Sequence, residues 1–268
     1  MTDVVLMPQA RDRAVSQLWA FAAVSAALAG LTLVWMPFET RLIEGVPVTA
    51  KPLKFALSFV VYFATLALVV ERLSEPVRRG LLLQTTVAVL GVCFLAEMAW
   101  MILQAARGEA SHFNESTPFH LFMYQVVMGT GATLLVLGVA LIGWIAGRDG
   151  AAHLSPGVRR GVVLGFVLSC VATLVVAGYM SSTGRFVGTP VTGATLPLLG
   201  WSTEVGDLRP AHFLSLHAMQ VLPLLGLWLD RRGSPDARRI LGRSAAVYAV
   251  LVAAVFLQAL AGVPLRPL

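Results

Sequence analysis

The side chains able to do chemistry gather in a few places of an otherwise apolar chain. The densest run is Gly206-Asp207-Leu208-Arg209-Pro210-Ala211-His212-Phe213-Leu214-Ser215-Leu216-His217-Ala218-Met219-Gln220. It sets two charges, two histidines and a glutamine at the mouth and upper half of a segment apolar enough to span a membrane. Ionisable groups are costly inside a spanning helix, so they point to function. A second such group is Glu97, about nine residues below the end of its own apolar run, roughly 13 Å deep at the helical rise per residue. A carboxylate at that depth has to be protonated, paired or bound to a metal. Trp100, Met101 and Gln104 share its helical face.

Two further stretches add to these. Lys54, Ser58, Tyr62 and Thr65 recur at helical spacing and define one face, with Lys51 just above. Polar stripes in lipid turn toward the interior of a bundle. Between Arg107 and His120 the chain is polar and carries His112. Ser116 or Thr117 is placed to cap the next helix, with Pro118 in its first turn. His120 then begins that helix, with Tyr124 one turn below and Gln125 beside it. Asp207 is expected to cap the helix that carries His212 and His217, with Pro210 in its first turn.

Imidazole and carboxylate together suit zinc or iron, and a metal with an open position activates water. The expected ligands are Glu97, His120 and His217, with His112 or His212 in reserve. Glu97 and His217 lie at similar estimated depth and are expected to be direct partners or co-ligands of one metal, and to carry the reaction. Lys51, Lys54, Ser58, Tyr62, Gln104, Arg107, Tyr124, Gln125, Asp207, Arg209 and Gln220 are the candidates to hold a substrate. His212 and His217 are five residues apart, about 140° around a regular helix, so they do not share a face.

The elements that must position these groups follow from composition. Of 268 residues, 57% are hydrophobic and only 13% charged, and mean hydropathy is +0.78. Soluble domains carry about a quarter charged residues, so the chain reads as a membrane protein. Apolar runs lie at about 18–36, 53–71, 81–106, 120–147, 160–181, 210–229 and 241–262. Each is about long enough to cross a bilayer, and only helix satisfies the backbone of such a segment in lipid. The first run is longer than a signal-peptide core and reads as a retained helix. The fold class is therefore all-α: a polytopic integral membrane protein, one seven-helix domain over 1–268. No internal repeat is visible. The link from Ser182 to Arg209, rich in Gly, Thr and Pro, is long enough to fold over the bundle as a cap. Cys93 and Cys170 sit in apolar runs and offer neither a disulfide framework nor a zinc spacing.

Orientation follows from the basic residues. Arg11, Arg13, Arg72, Arg78, Arg79, Arg148, Arg159, Arg160, Arg231, Arg232, Arg238, Arg239 and Arg243 fall on one side, thirteen of the twenty. Arg41, Lys51, Lys54, Arg107, Arg185, Arg209 and Arg266 fall on the other. The richer side is expected to be cytoplasmic, which puts the N-terminus inside and the C-terminus outside. The net charge of +6 then reflects topology and not nucleic-acid binding. His112, His120, His212 and His217 fall outside and only His153 inside, so the site is expected to face outward from a bacterial inner membrane.

Three functions compete. The first is a metal-dependent, hydrolase-like membrane enzyme acting on a lipid-like or anionic amphipathic substrate. The second is a b-type haem or quinone redox protein, with His120 and His217 as axial ligands. The third is a proton-coupled transporter or receptor using Glu97 and His217. The expected partners are membrane lipids and a small or lipid-like ligand. The last helix holds no histidine pair of the kind found in the membrane hydrolases that include alkaline ceramidases and adiponectin receptors. It also lacks the lysine that a retinal protein needs there. Neither family is assigned.

Overall fold

Lipid offers no hydrogen bonds to a backbone, and the seven apolar runs answer that constraint as helices. In the computed structural model, which describes residues 12–43, 45–196 and 199–265, seven helices are long and apolar enough to cross a membrane. The chain is an integral membrane protein of all-α class. The spans are α1 (Arg13–Trp35), α2 (Ala50–Val70), α4 (Leu81–Arg107), a compound fourth span, α7 (Pro156–Thr183), α8 (Arg209–Arg231) and α9 (Ala237–Leu260). The fourth span runs from α5 (Pro118–Phe122) through a π-helical turn, Met123–Met128, into α6 (Gly129–Arg148). Between α2 and α4 lies the short helix α3 (Glu75–Arg79). The expected spans are all present, with ends a few residues from where hydropathy put them.

The first four spans share a core in which Phe21 of α1, Phe59 and Phe63 of α2 and Phe94 of α4 interlock, with ring centroids 4.9 to 6.0 Å apart. The second half is joined differently. Gly157, Gly161 and Gly165 repeat every fourth residue on α7 and face Gly226, Leu222 and Ala218 of α8. A Cβ on Gly161 would run into the Leu222 carbonyl oxygen, and one on Gly226 into that of Gly157. Small residues at this spacing let two backbones meet where lipid gives no hydrophobic drive for association. Further along the same face Ser169 Oγ donates to the Leu216 carbonyl at 3.0 Å. At the far end the Asp230 carboxylate of α8 accepts the Gly157 and Val158 amides, both at 2.9 Å, and so closes the open N-terminus of α7.

The links mark two faces. One is arginine-rich. There Asp12 pairs with Arg78 and Arg79, which hold its carboxyl below the usual carboxylate range despite some burial. The Asp149 carboxylate accepts the Ser74 amide at 2.7 Å, and the His153 amide donates to the Arg72 carbonyl at 2.6 Å.

The opposite, histidine-bearing face carries two small hairpins. β1 (Leu42–Ile43) pairs with β2 (Val46–Pro47), and β3 (Phe186–Val187) with β4 (Gly206–Asp207). The second hairpin seats Gly206 against the Ala259 carbonyl of α9. Within this link Glu204 accepts from the Thr192 hydroxyl and from the Val191, Thr192 and Ala194 amides. These bonds lower its carboxyl to about 2. The 184–208 link therefore does lie over the ends of α2, α8 and α9, as its length suggested.

Replacing Gly161 by Ala is expected to lower stability in detergent by about 1–3 kcal/mol, because the backbones must part to admit the methyl. Gly30→Ala, with nothing within 4 Å of its added Cβ, should instead raise stability by about 0.5–1 kcal/mol. Paired thermal-unfolding curves check both.

Candidate functional site

The polar residues of the histidine-bearing face resolve into two groups, set by which helices adjoin.

The first group lies between α2, α4 and the fourth span. The face of α4 expected to turn inward does so: Glu97, Trp100, Met101 and Gln104 are all buried. Gly108, with a positive φ of 75°, ends α4, its amide returning to Ala105 while that of Glu109 returns to Gln104. That turn delivers Glu109 to the centre of the group. Its carboxylate accepts from Arg107 Nη2 at 3.0 Å, His120 Nε2 at 3.1 Å and Gln104 Nε2 at 3.2 Å. The Arg107 guanidinium, chiefly, holds its carboxyl below the ordinary range. Thr117 caps α5 by accepting the His120 amide at 3.2 Å, as its position before Pro118 suggested. Its hydroxyl also lies 2.8 Å from His120 Nδ1, so both ring nitrogens of His120 are occupied.

Below this hub, Trp100 Nε1 donates to the Ser111 carbonyl at 3.1 Å and anchors the loop over the helices. His112 tucks beneath the loop, its Nδ1 3.1 Å from Ser111 Oγ and its ring against those of Phe55 and Tyr124. Burial, and secondarily the charge of Lys51, push its basicity well below the ordinary histidine value, so it is neutral at physiological pH. Glu97 lies deeper, only 5% exposed. Its Oε1 has no hydrogen-bond partner among the described residues. It faces Gly131 of α6, where an added Cβ would stand 3.0 Å from that oxygen. Lys51, at the start of α2, acts on Glu97 and His112 alike through its charge. The π-helical turn, a geometry frequent at functional sites, lies just before Gly131 and holds Tyr124, whose hydroxyl meets the Ser181 carbonyl at 3.4 Å. Gln125, in the same turn, is exposed.

The second group joins α2 to α8 and the overlying link. Lys54 Nζ donates to the Leu199 carbonyl at 3.0 Å. Arg209 donates to the Gly200 carbonyl and to Asp207 Oδ2, both at 2.6 Å, and its guanidinium lies over the Phe186 ring. Asp207 also accepts the Ser202 amide at 2.8 Å. Leu208 occupies the cap position of α8 that Asp207 was expected to fill, though the Asp207 carboxylate does accept the Arg209 amide at 3.0 Å. Deeper, His217 Nδ1 lies 3.2 Å from Gln220 Oε1, and Gln220 Nε2 donates to Thr65 Oγ1 of α2 at 3.2 Å. The His217 ring packs on Phe213 at 4.2 Å. Tyr62 donates to the Leu135 carbonyl of α6 at 2.8 Å. Ser58 is exposed one turn below Lys54, and the His212 ring makes no side-chain hydrogen bond among the described residues.

Several expectations are corrected by this arrangement. Glu97 and His217 are not direct partners, because His217 turns to Gln220 and the α2 side while Glu97 turns to Gly131. Lys54, Arg209 and Asp207 hold the backbone of the overlying link, which occupies groups assigned to a substrate. Among the described residues, no three His, Cys, Asp or Glu side chains gather where one ion could be held. Of the two histidines assigned to one haem, His120 has ring nitrogens beside Glu109 and Thr117, and His217 has Nδ1 beside Gln220.

Sequence reasoning missed Glu109 and Ser111 as partners of the His120 and His112 rings, and Thr117 as a partner of the His120 ring. For Glu109 a signal existed: a carboxylate one residue past the glycine that ends α4 returns to the last turn of that helix. No protein-family model, curated protein or solved structure matches this chain.

Glu109→Ala should free Arg107, Gln104 and His120 together. Trypsin is expected to cut after Arg107 faster in this variant than in wild type. In wild type the tether should hold above the ordinary carboxylate range and loosen as pH falls through the lowered value for Glu109, because a depressed carboxyl stabilises only while ionised. Protection that persists in the variant would assign the order of this loop to Trp100 alone.

Proposed function

We propose that this integral membrane protein is a proton-linked transporter or receptor for a small amphipathic ligand, with Glu97 as its proton-binding group. One observation carries the reading: a carboxylate oxygen inside a spanning bundle, out of water and without a hydrogen-bond donor among the described residues. A buried charge left unpaired costs several kcal/mol, so a spanning helix holds such a carboxyl either with its proton or with a cation close by. Both means are at hand, since Lys51 supplies the charge and Gly131 leaves the carboxyl room.

Gln104 lies two turns above Glu97 on the same face, and its Oε1 also lacks a partner while its amide reaches Glu109 at the mouth. Glu109, Gln104 and Glu97 thus mark a polar row from the surface inward. Glu97 would take a proton when Lys51 is drawn toward an anionic ligand and release it when the ammonium returns. Neutral His112, packed between Phe55 and Tyr124, lines the approach. Among the described residues no three His, Cys, Asp or Glu side chains gather around Glu97, so the proposed chemistry is proton binding and not metal binding.

The excess of Arg on the opposite face supports a cytoplasmic N-terminus and an external C-terminus. The entrance beside His120 would then open outward from a bacterial inner membrane.

Infrared difference spectra over a pH series check the role of Glu97. Wild type should show the carbonyl stretch of a buried protonated carboxyl that appears and disappears with pH. Glu97→Gln should abolish that band, and Lys51→Gln should move its titration. Absence of the band in wild type, or its survival in Glu97→Gln, refutes the reading. Orientation is checked separately by reporter fusions at both ends, with activity expected inside for the N-terminal fusion and outside for the C-terminal one.

A further inference from the structure

On the arginine-rich face, several guanidinium groups have an evident partner. Arg78 and Arg79 pair with Asp12, Arg159 donates to the Asp149 carbonyl, and Arg148 and Arg232 lie over Trp144 and Trp228. Four differ. Arg160 of α7 and Arg238, Arg239 and Arg243 of α9 line one cleft of about 550 Å³. None of the four makes a side-chain hydrogen bond or ion pair among the described residues. Arg160 Nε is out of contact with solvent and without a hydrogen-bond partner among the described residues.

Arg239 and Arg243 are one helical turn apart, an arrangement of like charges that destabilises a helix by itself. Asp236 is the sole carboxylate in the lining. The nearby carboxylate of Asp230 is engaged by Ser155 and the amides that open α7. Topology requires positive charge on this side of the membrane, but it does not require four guanidinium groups around one cleft.

We propose that this cleft binds a phosphate-bearing anion. Guanidinium groups present paired donors that match phosphate oxygens. The cleft opens where α7 and α9 begin, at the level of lipid headgroups, and basic pockets between spanning helices at that level hold acidic lipids. An acidic phospholipid headgroup and free inorganic phosphate share this chemistry. The site lies on the face opposite Glu97 and does not depend on the role given to that residue.

The test uses the full chain in nanodiscs of phosphatidylcholine, with or without phosphatidylglycerol. Lipid retained on the protein is read by native mass spectrometry. Thermal unfolding in phosphatidylcholine discs is followed with added inorganic phosphate. Preferential retention of phosphatidylglycerol assigns the lipid headgroup, and a rise in unfolding temperature with inorganic phosphate alone assigns the free anion. Either response should weaken roughly thirtyfold in Arg160→Gln/Arg243→Gln, from the usual effect of one basic residue near a lipid surface taken twice. It should persist in Arg148→Gln/Arg232→Gln, which removes equal charge from the same face. Should the cleft double variant fail to fold, the exposed Arg239→Gln should alone weaken the response roughly fivefold. Neither response in wild type, a response that survives in the cleft variants, or equal loss in the control variant overturns the proposal.

Discussion

Backbone contact between α7 and α8 sets the rotation of α8, and with it every functional group that α8 presents. In lipid an apolar surface gains nothing by leaving its solvent, so helices associate through closeness of fit. The glycines at 157, 161 and 165 provide that closeness, and Asp230 and Ser169 lock the two helices along their shared face. With Ala218 and Leu222 committed to α7, His217 and Gln220 project away from that face, and Gln220 bonds Thr65 of α2. The separation of His217 from Glu97 therefore follows from how a neighbouring helix packs and not from their places along the two spans, which sequence position alone makes similar.

The other half of the bundle obeys a different rule. Its spans meet through large rings, Phe21, Phe59, Phe63 and Phe94, and through small residues that receive them, such as Gly91 beneath Phe21 and Gly143 beneath Phe166. Several polar groups here have a partner: Tyr62 finds a carbonyl across the bundle, and Thr32 and Thr86 find one in their own helices. Against that background the free Oε1 of Glu97 stands out. Gly131 keeps the space open where almost any other residue would crowd the carboxyl.

The fold was legible because its dominant rule is one-dimensional. A run of apolar residues of bilayer length is a helix wherever it sits, and local chemistry placed the Thr117 cap as well. The site was less legible because it depends on which helices adjoin and how each is turned. The sequence depth of Glu97 was a sound guide to its burial, yet depth carries no azimuth, so pairing it with His217 failed. Lys54 and Arg209 looked like ligands for a substrate because the carbonyls they hold belong to a link whose course no periodicity encodes. The glycine ridge was present in the text of the sequence, three glycines four apart. It went unread because glycine leaves no trace in a hydropathy profile.

The turn at Leu199 and Gly200 is tied to two different spans, by Lys54 from α2 and by Arg209 from α8. A hydrogen bond tolerates little stretch before it is lost. Any parting of α2 from α8 at this end must release one of the two ties, so the turn works as a latch whose closure reports the spacing between the halves of the bundle. Because both ties end on backbone carbonyls, no substitution within the turn itself removes the acceptors. The latch is adjustable only from the helices that hold it.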